Sequence, residues 1–260
     1  MHATTLALVG ATGGAGTTRT AIELATLGAR DGRDVAVVDA AFTTQGLSEY
    51  VSGRIGTDLT TLLTDETGAS LSAATYPIAP GADGGGSSAD GLDLPGRAEV
   101  VPARAPFERV ARAKTAEAAR KLERRIDEAA TTYDAVLVDA APVGSNEAVA
   151  GVTAADRTAA VTPATTHGRD ALQRLRGRVA DVGASVDRTV AISREADGEA
   201  AERDGEVCLP QTAPEVGAAP TTATGDGAYT RAVAAAFEDC FDATVDVEFA
   251  EAGLVDRLRS

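Results

Sequence analysis

The sequence predicts an α/β protein, a doubly wound, mostly parallel sheet with helices on both faces. Short, nearly continuous runs of Val, Ala, Leu and Ile recur along the chain, as expected of strands covered on both sides. Helical patterns with one apolar stripe lie between them. The first apolar run also feeds directly into a glycine-rich turn and a helix, the entry of open sheets that bind ligands at the carboxyl edge of their strands.

In chain order, the strands fall at residues 5–9, 35–38, 98–102, 135–138, 158–161 and 189–192, with a fainter run at 207–209. The glycine turn at residues 10–16 opens a helix reaching about Gly28. Phe107, Val110, Ala118, Leu122 and Ile126 share one stripe and predict a single long helix. Leu172, Leu175, Val179 and Val182 stripe another at three- and four-residue steps. Strand–helix alternation of this kind implies right-handed crossovers. Residues 81–96, rich in Gly, Ser and Asp, read as a mobile surface insertion, because the alternation resumes after them. Residues 197–205 are acidic and polar, and residues 212–227, rich in Pro, Thr and Gly, are expected to be mostly loop. No internal repeat is present, so 1–260 reads as a single domain.

Charge sets the expected environment. Thirty-nine Asp and Glu oppose 24 Lys and Arg, and only Lys114 and Lys121 among the basic residues are lysines. A carboxylate-rich, lysine-poor surface stays hydrated where molar salt screens charges beyond about 3 Å, which suits a halophilic cytoplasm. No run approaches the roughly 18 apolar residues of a bilayer span, and the N-terminus lacks a signal pattern, so a soluble, cytoplasmic protein is expected. Cys208 and Cys240 are too few for a disulfide framework. His2 and His167 supply neither a zinc cluster nor a triad, and His167 is expected as a solvated or capping residue at a helix start.

The segment that carries chemistry is Gly10-Ala11-Thr12-Gly13-Gly14-Ala15-Gly16-Thr17-Thr18-Arg19. Glycines let backbone N–H groups converge on anionic oxygens, and the helix dipole adds partial positive charge. The Walker pattern also requires a lysine against the β/γ-phosphates; here Thr17 fills that slot, while Thr18 keeps the hydroxyl that binds Mg²⁺. Asp39 and Asp139 each end an apolar strand at the same expected edge. The residues expected around phosphate are therefore Gly13, Gly14, Ala15, Gly16, Thr17, Thr18 and Arg19.

These residues make the chain resemble the ParA/MinD family of deviant-Walker ATPases, SIMIBI-type P-loop NTPases whose loop reads K-G-G-x-G-K-[ST]. Gly13-Gly14-Ala15-Gly16 and Thr18 match it, Val35-Ala36-Val37-Val38-Asp39-Ala40 with Thr44-Gln45-Gly46-Leu47 looks like its second strand and switch segment, and residues 133–142 look like its Walker B strand. The lysine-free G-G-x-G-[AT]-T form looks most like the TadZ/CpaE branch. The resemblance covers roughly residues 4–195 and implies ATP with Mg²⁺ held by Thr18, Asp39 and Asp139, a homodimer, an unidentified protein partner and a role in positioning, partition or assembly.

Three departures modify that expectation. Thr12 replaces the signature lysine, Thr17 the common lysine, and Ala41 the acid that helps place the attacking water in the family. Losing one lysine–phosphate contact costs about 1.5–3 kcal/mol, or tenfold to a hundredfold in affinity. Weak nucleotide binding with little or no hydrolysis is expected, the alternative being a non-catalytic scaffold. Arg19 offers charge, but one step along a helix rotates it about 100° from Thr18. Arg104, Arg109, Arg112, Lys114, Arg120, Lys121, Arg124 and Arg125, and separately Arg169, Arg174, Arg176 and Arg178, form basic clusters. The spacing of Glu108–Arg112 and Glu117–Lys121 makes ion pairs the expectation, and an acidic chain in high salt argues against DNA. Phe249, Leu254, Val255 and Leu258 form a short C-terminal apolar set beside Arg257 and Arg259. Glu248, Glu251 and Asp256 offset that charge and argue against peripheral membrane contact. Ser193-Arg194 stands where the family often places an adenine-reading Asn, which weakens any expectation of base specificity.

Overall fold

The computed structural model describes residues 3–65, 68–80, 91–193, 206–213 and 215–249. Seven strands run parallel: β1 (Thr4–Gly10), β2 (Val35–Ala40), β4 (Ala98–Val101), β5 (Ala135–Ala140), β6 (Arg157–Pro163), β7 (Arg188–Ile192) and β8 (Glu206–Leu209). The two-residue β3 (Tyr76–Pro77) pairs antiparallel at the edge, giving the order β3-β4-β2-β5-β1-β6-β7-β8. All seven parallel strands were legible as apolar runs; β3 was not, because two residues carry no periodicity.

Alternation along each strand sorts side chains into two layers. Leu6, Leu8, Val35, Val37 and Leu137 pack with α1 (Thr17–Arg30) and α7 (Ala228–Phe241). Ala7, Val9, Ala36, Val38 and Val136 face the opposite layer. That layer is built from α2 (Leu59–Thr64), α3 (Phe107–Ala113), α4 (Ala116–Ala130), α5 (Asn146–Ala154) and α6 (Thr166–Asp181). The core is assembled mainly from Ala, Val, Leu and Ile, so elements approach closely. A Cβ on Gly28 of α1 would lie 2.8 Å from Val35 Cγ2 and 3.0 Å from Phe237 Cε2. Among the described residues no helix is long and apolar enough to cross a membrane.

The expected long helix at 107–126 is two helices. The chain breaks at Lys114–Thr115, where Thr115 Oγ1 accepts the Ala118 N–H at 3.3 Å and caps α4. Phe107, read as part of the stripe, is 87% exposed. The stripe was real only from Val110 onward, because an N-cap restarts the helix while leaving apolar residues at compatible spacing. His167 is the exposed second residue of α6; the cap is Thr165, whose Oγ1 accepts the Gly168 N–H at 3.1 Å.

Of the expected insertion, residues 81–90 lie outside the described residues, as do 197–205. Gly96 donates its N–H to Ala29 O, tying the end of that segment to α1. Residues 212–227 are largely loop with short 3-10 turns at Val216–Ala218 and Thr221–Ala223. In the C-terminal set, Phe249 lies under Arg30 and Arg231 at 5.7 and 5.6 Å, while Leu254, Val255, Arg257 and Leu258 lie outside the described residues.

Candidate functional site

The site lies where β1, β2 and β5 end together. β1 delivers the chain into the glycine turn, in which Gly14 (φ 71°) and Gly16 (φ 92°) adopt the left-handed region that side chains disfavour. Gly16 is also the N-cap of α1 and has no side chain to accept the first helical amides, so those N–H groups remain directed into the turn. Gly13 is exposed with open space around it, so nothing steric demands glycine there. Gly10 meets a tighter limit, because a Cβ there would lie 2.8 Å from Thr17 Oγ1. The Thr17 hydroxyl thus folds back over the end of β1, in the slot where a Walker lysine would stand.

Thr18, one residue further, faces the sheet. Its hydroxyl donates to Asp139 Oδ2 at 2.6 Å. Asp139 pairs in register with Asp39 across β5 and β2, and strand alternation points both carboxyls to the α1 side. Asp39 is fully buried; Oδ1 accepts the Ala41 N–H at 2.8 Å and Oδ2 the Ala103 N–H at 3.1 Å. Burial, then the neighbouring Asp139 charge, pushes the Asp39 carboxyl up to about 7, although those two amides pull the other way. Burial pushes Asp139 up to about 6, opposed by the Thr18 hydroxyl. Gly46, opening a 3-10 turn at Gly46–Tyr50, packs over Thr18, and Gln45 (φ 52°) anchors that turn by bonding both Ala105 N and Ala105 O.

Two buried carboxyls and a hydroxyl form an all-oxygen donor set, which fits a hard divalent cation such as Mg²⁺. Each carboxylate retains lone pairs beyond those taken by the amides and Thr18. No cluster of three or more His, Cys, Asp or Glu suited to a metal exists among the described residues, and an ion at this set would need phosphate and water to complete its shell.

Arg19 lines the same cavity as Gly14 and Gly16, and its guanidinium donors are taken up by groups of the protein itself. Nε bonds Glu23 Oε1 at 2.7 Å; Nη1 bonds Ala213 O and Glu215 O, and Nη2 bonds Ala218 O and Thr221 Oγ1. Glu23, fully buried, also accepts the N–H groups of Thr221 and Thr222, both at 2.9 Å. Beside this network a cavity of about 370 Å³ opens next to Gly14 and Gly16, walled by Ile192, Gln211, Thr212 and Tyr229 among others. Ser193 borders it; Arg194 lies outside the described residues.

Four side chains of the first basic cluster form ion pairs among the described residues. Arg109 reaches Asp58 and Asp65, Lys114 pairs with Glu147 at 3.1 Å and donates to Thr43, and Arg125 pairs with Glu128. Glu117–Lys121 forms at 3.4 Å; among the described residues Glu108–Arg112 does not.

Sequence reasoning missed Glu23 and the cavity wall apart from Ser193. A signal existed for the former: Glu23 is the one charged residue between Arg19 and Arg30 in a helix of Ala, Thr, Leu and Ile, four residues from Arg19. The rest of the wall drew no signal, because residues 192, 210–213 and 229 meet only through the fold.

The parallel order, the glycine turn after β1 and the acids ending β2 and β5 define a P-loop NTPase fold of the SIMIBI type. Similar solved structures include the septum site-determining protein MinD of Pyrococcus horikoshii OT3 complexed with Mg-ADP. That likeness has a TM-score of 0.63 and 19% identity, over 81% of this chain and 82% of that one. A ParA family ATPase from Chlorobium tepidum TLS matches with TM-score 0.60 and 20% identity over 80% and 85%. An McdA variant of Cyanothece in complex with ATP matches with TM-score 0.56 and 20% identity over 74% and 70%. No protein-family model and no curated protein sequence matches the chain.

Proposed function

We propose that this chain is a single-domain, ParA/MinD-like nucleotide-binding switch that forms a homodimer and positions or regulates a larger assembly, with weak or absent ATP hydrolysis. The observation that carries the reading is the bond from Thr18 Oγ1 to Asp139 Oδ2 beside a glycine turn whose amides open toward the same edge. A loop that had become a mere strand-to-helix connection would have no need to keep a hydroxyl and two buried carboxyls in register beneath it.

In this reading the turn amides from Gly13 to Thr18 hold phosphate oxygens, and Thr18, Asp39 and Asp139 hold Mg²⁺. Bound Mg²⁺ would supply charge neutralisation between the carboxyls and the phosphates. The cavity beside Gly14 and Gly16 receives the base. The MinD and McdA structures to which the chain is similar carry Mg-ADP and ATP, which supports this choice of ligand. Thr12, Thr17 and Ala41 remove the charged and acidic groups that would accelerate hydrolysis, so turnover is slow. The lysine-free loop supports placement near the TadZ/CpaE branch, and the acidic, lysine-poor composition supports a cytoplasm of high salt.

A thermal-shift titration with Mg-ATP tests the reading, since a ligand stabilises by RT ln(1 + [L]/Kd). A rise in Tm that Thr18→Ala abolishes is expected, with no phosphate released. No shift at millimolar nucleotide would leave the scaffold reading, which the replacement of both lysines favours.

A further inference from the structure

We infer that Arg19, which itself lines the cavity, is a positioning residue whose clamp on Ala213 and residues 215–222 pre-forms the base cavity, so that this site reads the nucleoside end of its ligand and discriminates little by phosphate number. The inference rests on the proposed nucleotide site and assigns its ligand preference.

The clamp is built from two side chains one helical turn apart. Arg19, whose side chain is 14% exposed, spends its donors on Glu23, on three carbonyls of the segment between β8 and α7, and on Thr221 Oγ1. Glu23 returns the contact with both carboxylate oxygens, taking the N–H groups of Thr221 and Thr222 and the Thr222 hydroxyl. Thr222 Oγ1 also lies 3.0 Å from Glu23 O. Charge-assisted bonds of this kind are short and directional, and a planar guanidinium serves several carbonyls at once.

The clamped segment follows Pro210, Gln211 and Thr212, which line the cavity together with Ala213, Arg19, Gly14 and Gly16. Fixing that segment leaves a hollow of about 370 Å³, within the usual size of small-molecule sites, with Ile192 and Tyr229 as flat or apolar lining. A wall already held in place costs no ordering on binding. The polyphosphate end is the reverse. Thr17 and Thr12 offer no cation, and Arg19, the nearest basic residue in the chain, is committed to the clamp. The ligand class is therefore an aromatic base on a phosphorylated sugar, held by base and first phosphates, with a small contribution from the last phosphate.

Isothermal titration calorimetry at fixed salt and Mg²⁺, with AMP, ADP, ATP and inorganic pyrophosphate, tests this. In the wild type, ADP and ATP are expected to agree within about threefold, where a loop lysine would separate nucleotides by tenfold or more. Arg19→Gln is expected to weaken AMP, ADP and ATP by one common factor, about tenfold, and to leave pyrophosphate unchanged. Arg19→Lys keeps the charge without the fork and is expected to behave like Arg19→Gln. Thr221→Ala, which removes one acceptor of the clamp and spares the Arg19–Glu23 pair, gives a smaller uniform loss if Arg19→Gln does not fold. A loss that grows with phosphate number, rescue by Arg19→Lys, or an equal loss of pyrophosphate overturns the inference. So does a wild type that prefers ATP to ADP by about tenfold or more, while leaving the proposed nucleotide site standing. A wild type that binds none of the four removes both.

Discussion

Asp139→Asn is expected to stabilise the metal-free protein at pH 8 and to leave it nearly unchanged at pH 4. Asp39 and Asp139 are held at about 7 and about 6, against an ordinary value of 3.8, chiefly by burial. Between about pH 4 and 7 the folded protein therefore binds more protons than the unfolded chain. The favourable state of the pair is present below pH 4, is lost as the pH rises through the two folded values, and stays lost above them. Asp139 alone, raised by about two units, contributes a deficit of roughly 3 kcal/mol at pH 8. Asparagine keeps an oxygen to accept the Thr18 hydroxyl, removes the charge, and relieves the repulsion on Asp39. The gain corresponds to a Tm rise of roughly 6–12 °C for a chain of this size. Urea denaturation of both proteins with chelator, at pH 4 and pH 8, measures it, and the difference between them cancels the background of the acidic surface. Added Mg²⁺ is expected to recover stability in the wild type and little in the variant. Equal stability at both pH values, or a less stable variant at pH 8, would refute the reasoning about the buried pair.

Two helical glycines should respond oppositely to alanine in thermal melts. Gly28→Ala forces a methyl against Val35 and Phe237 and loses about 1–3 kcal/mol, despite alanine's better helix propensity. Gly177→Ala, at an exposed α6 position with open space, gains about 0.5–1 kcal/mol. Phe107→Ser should change unfolding free energy by no more than about 0.5 kcal/mol, whereas a core phenylalanine would cost several. Thr17→Lys restores a cation beside the turn and should tighten Mg-ATP binding about tenfold to a hundredfold by calorimetry.

Much of the fold was written in local pattern. A strand buried on both faces must be apolar throughout, so the inner parallel strands announced themselves while the edge strand β8 showed only a fainter run, and the glycine turn followed by a helix located the sheet edge that matters. Thr18, Asp39 and Asp139 were legible because each sits at a fixed offset from a strand end, and parallel register then brings the two acids side by side. The break at Thr115 was harder to see. A capping threonine does not disturb the spacing of apolar residues on either side, so two helices imitated one.

Sequence alone thus determined the layered α/β architecture, the acidic surface and the chemical identity of the turn, since these follow from residue type and short spacing. Tertiary structure decided the partners of the charged side chains. Arg19 stood next to the turn in the chain, yet its direction depended on helical phase and on a segment some two hundred residues away. Only the folded chain brings the carbonyls of Ala213, Glu215 and Ala218 to its guanidinium, and a hydrogen bond between distant residues has no local signature.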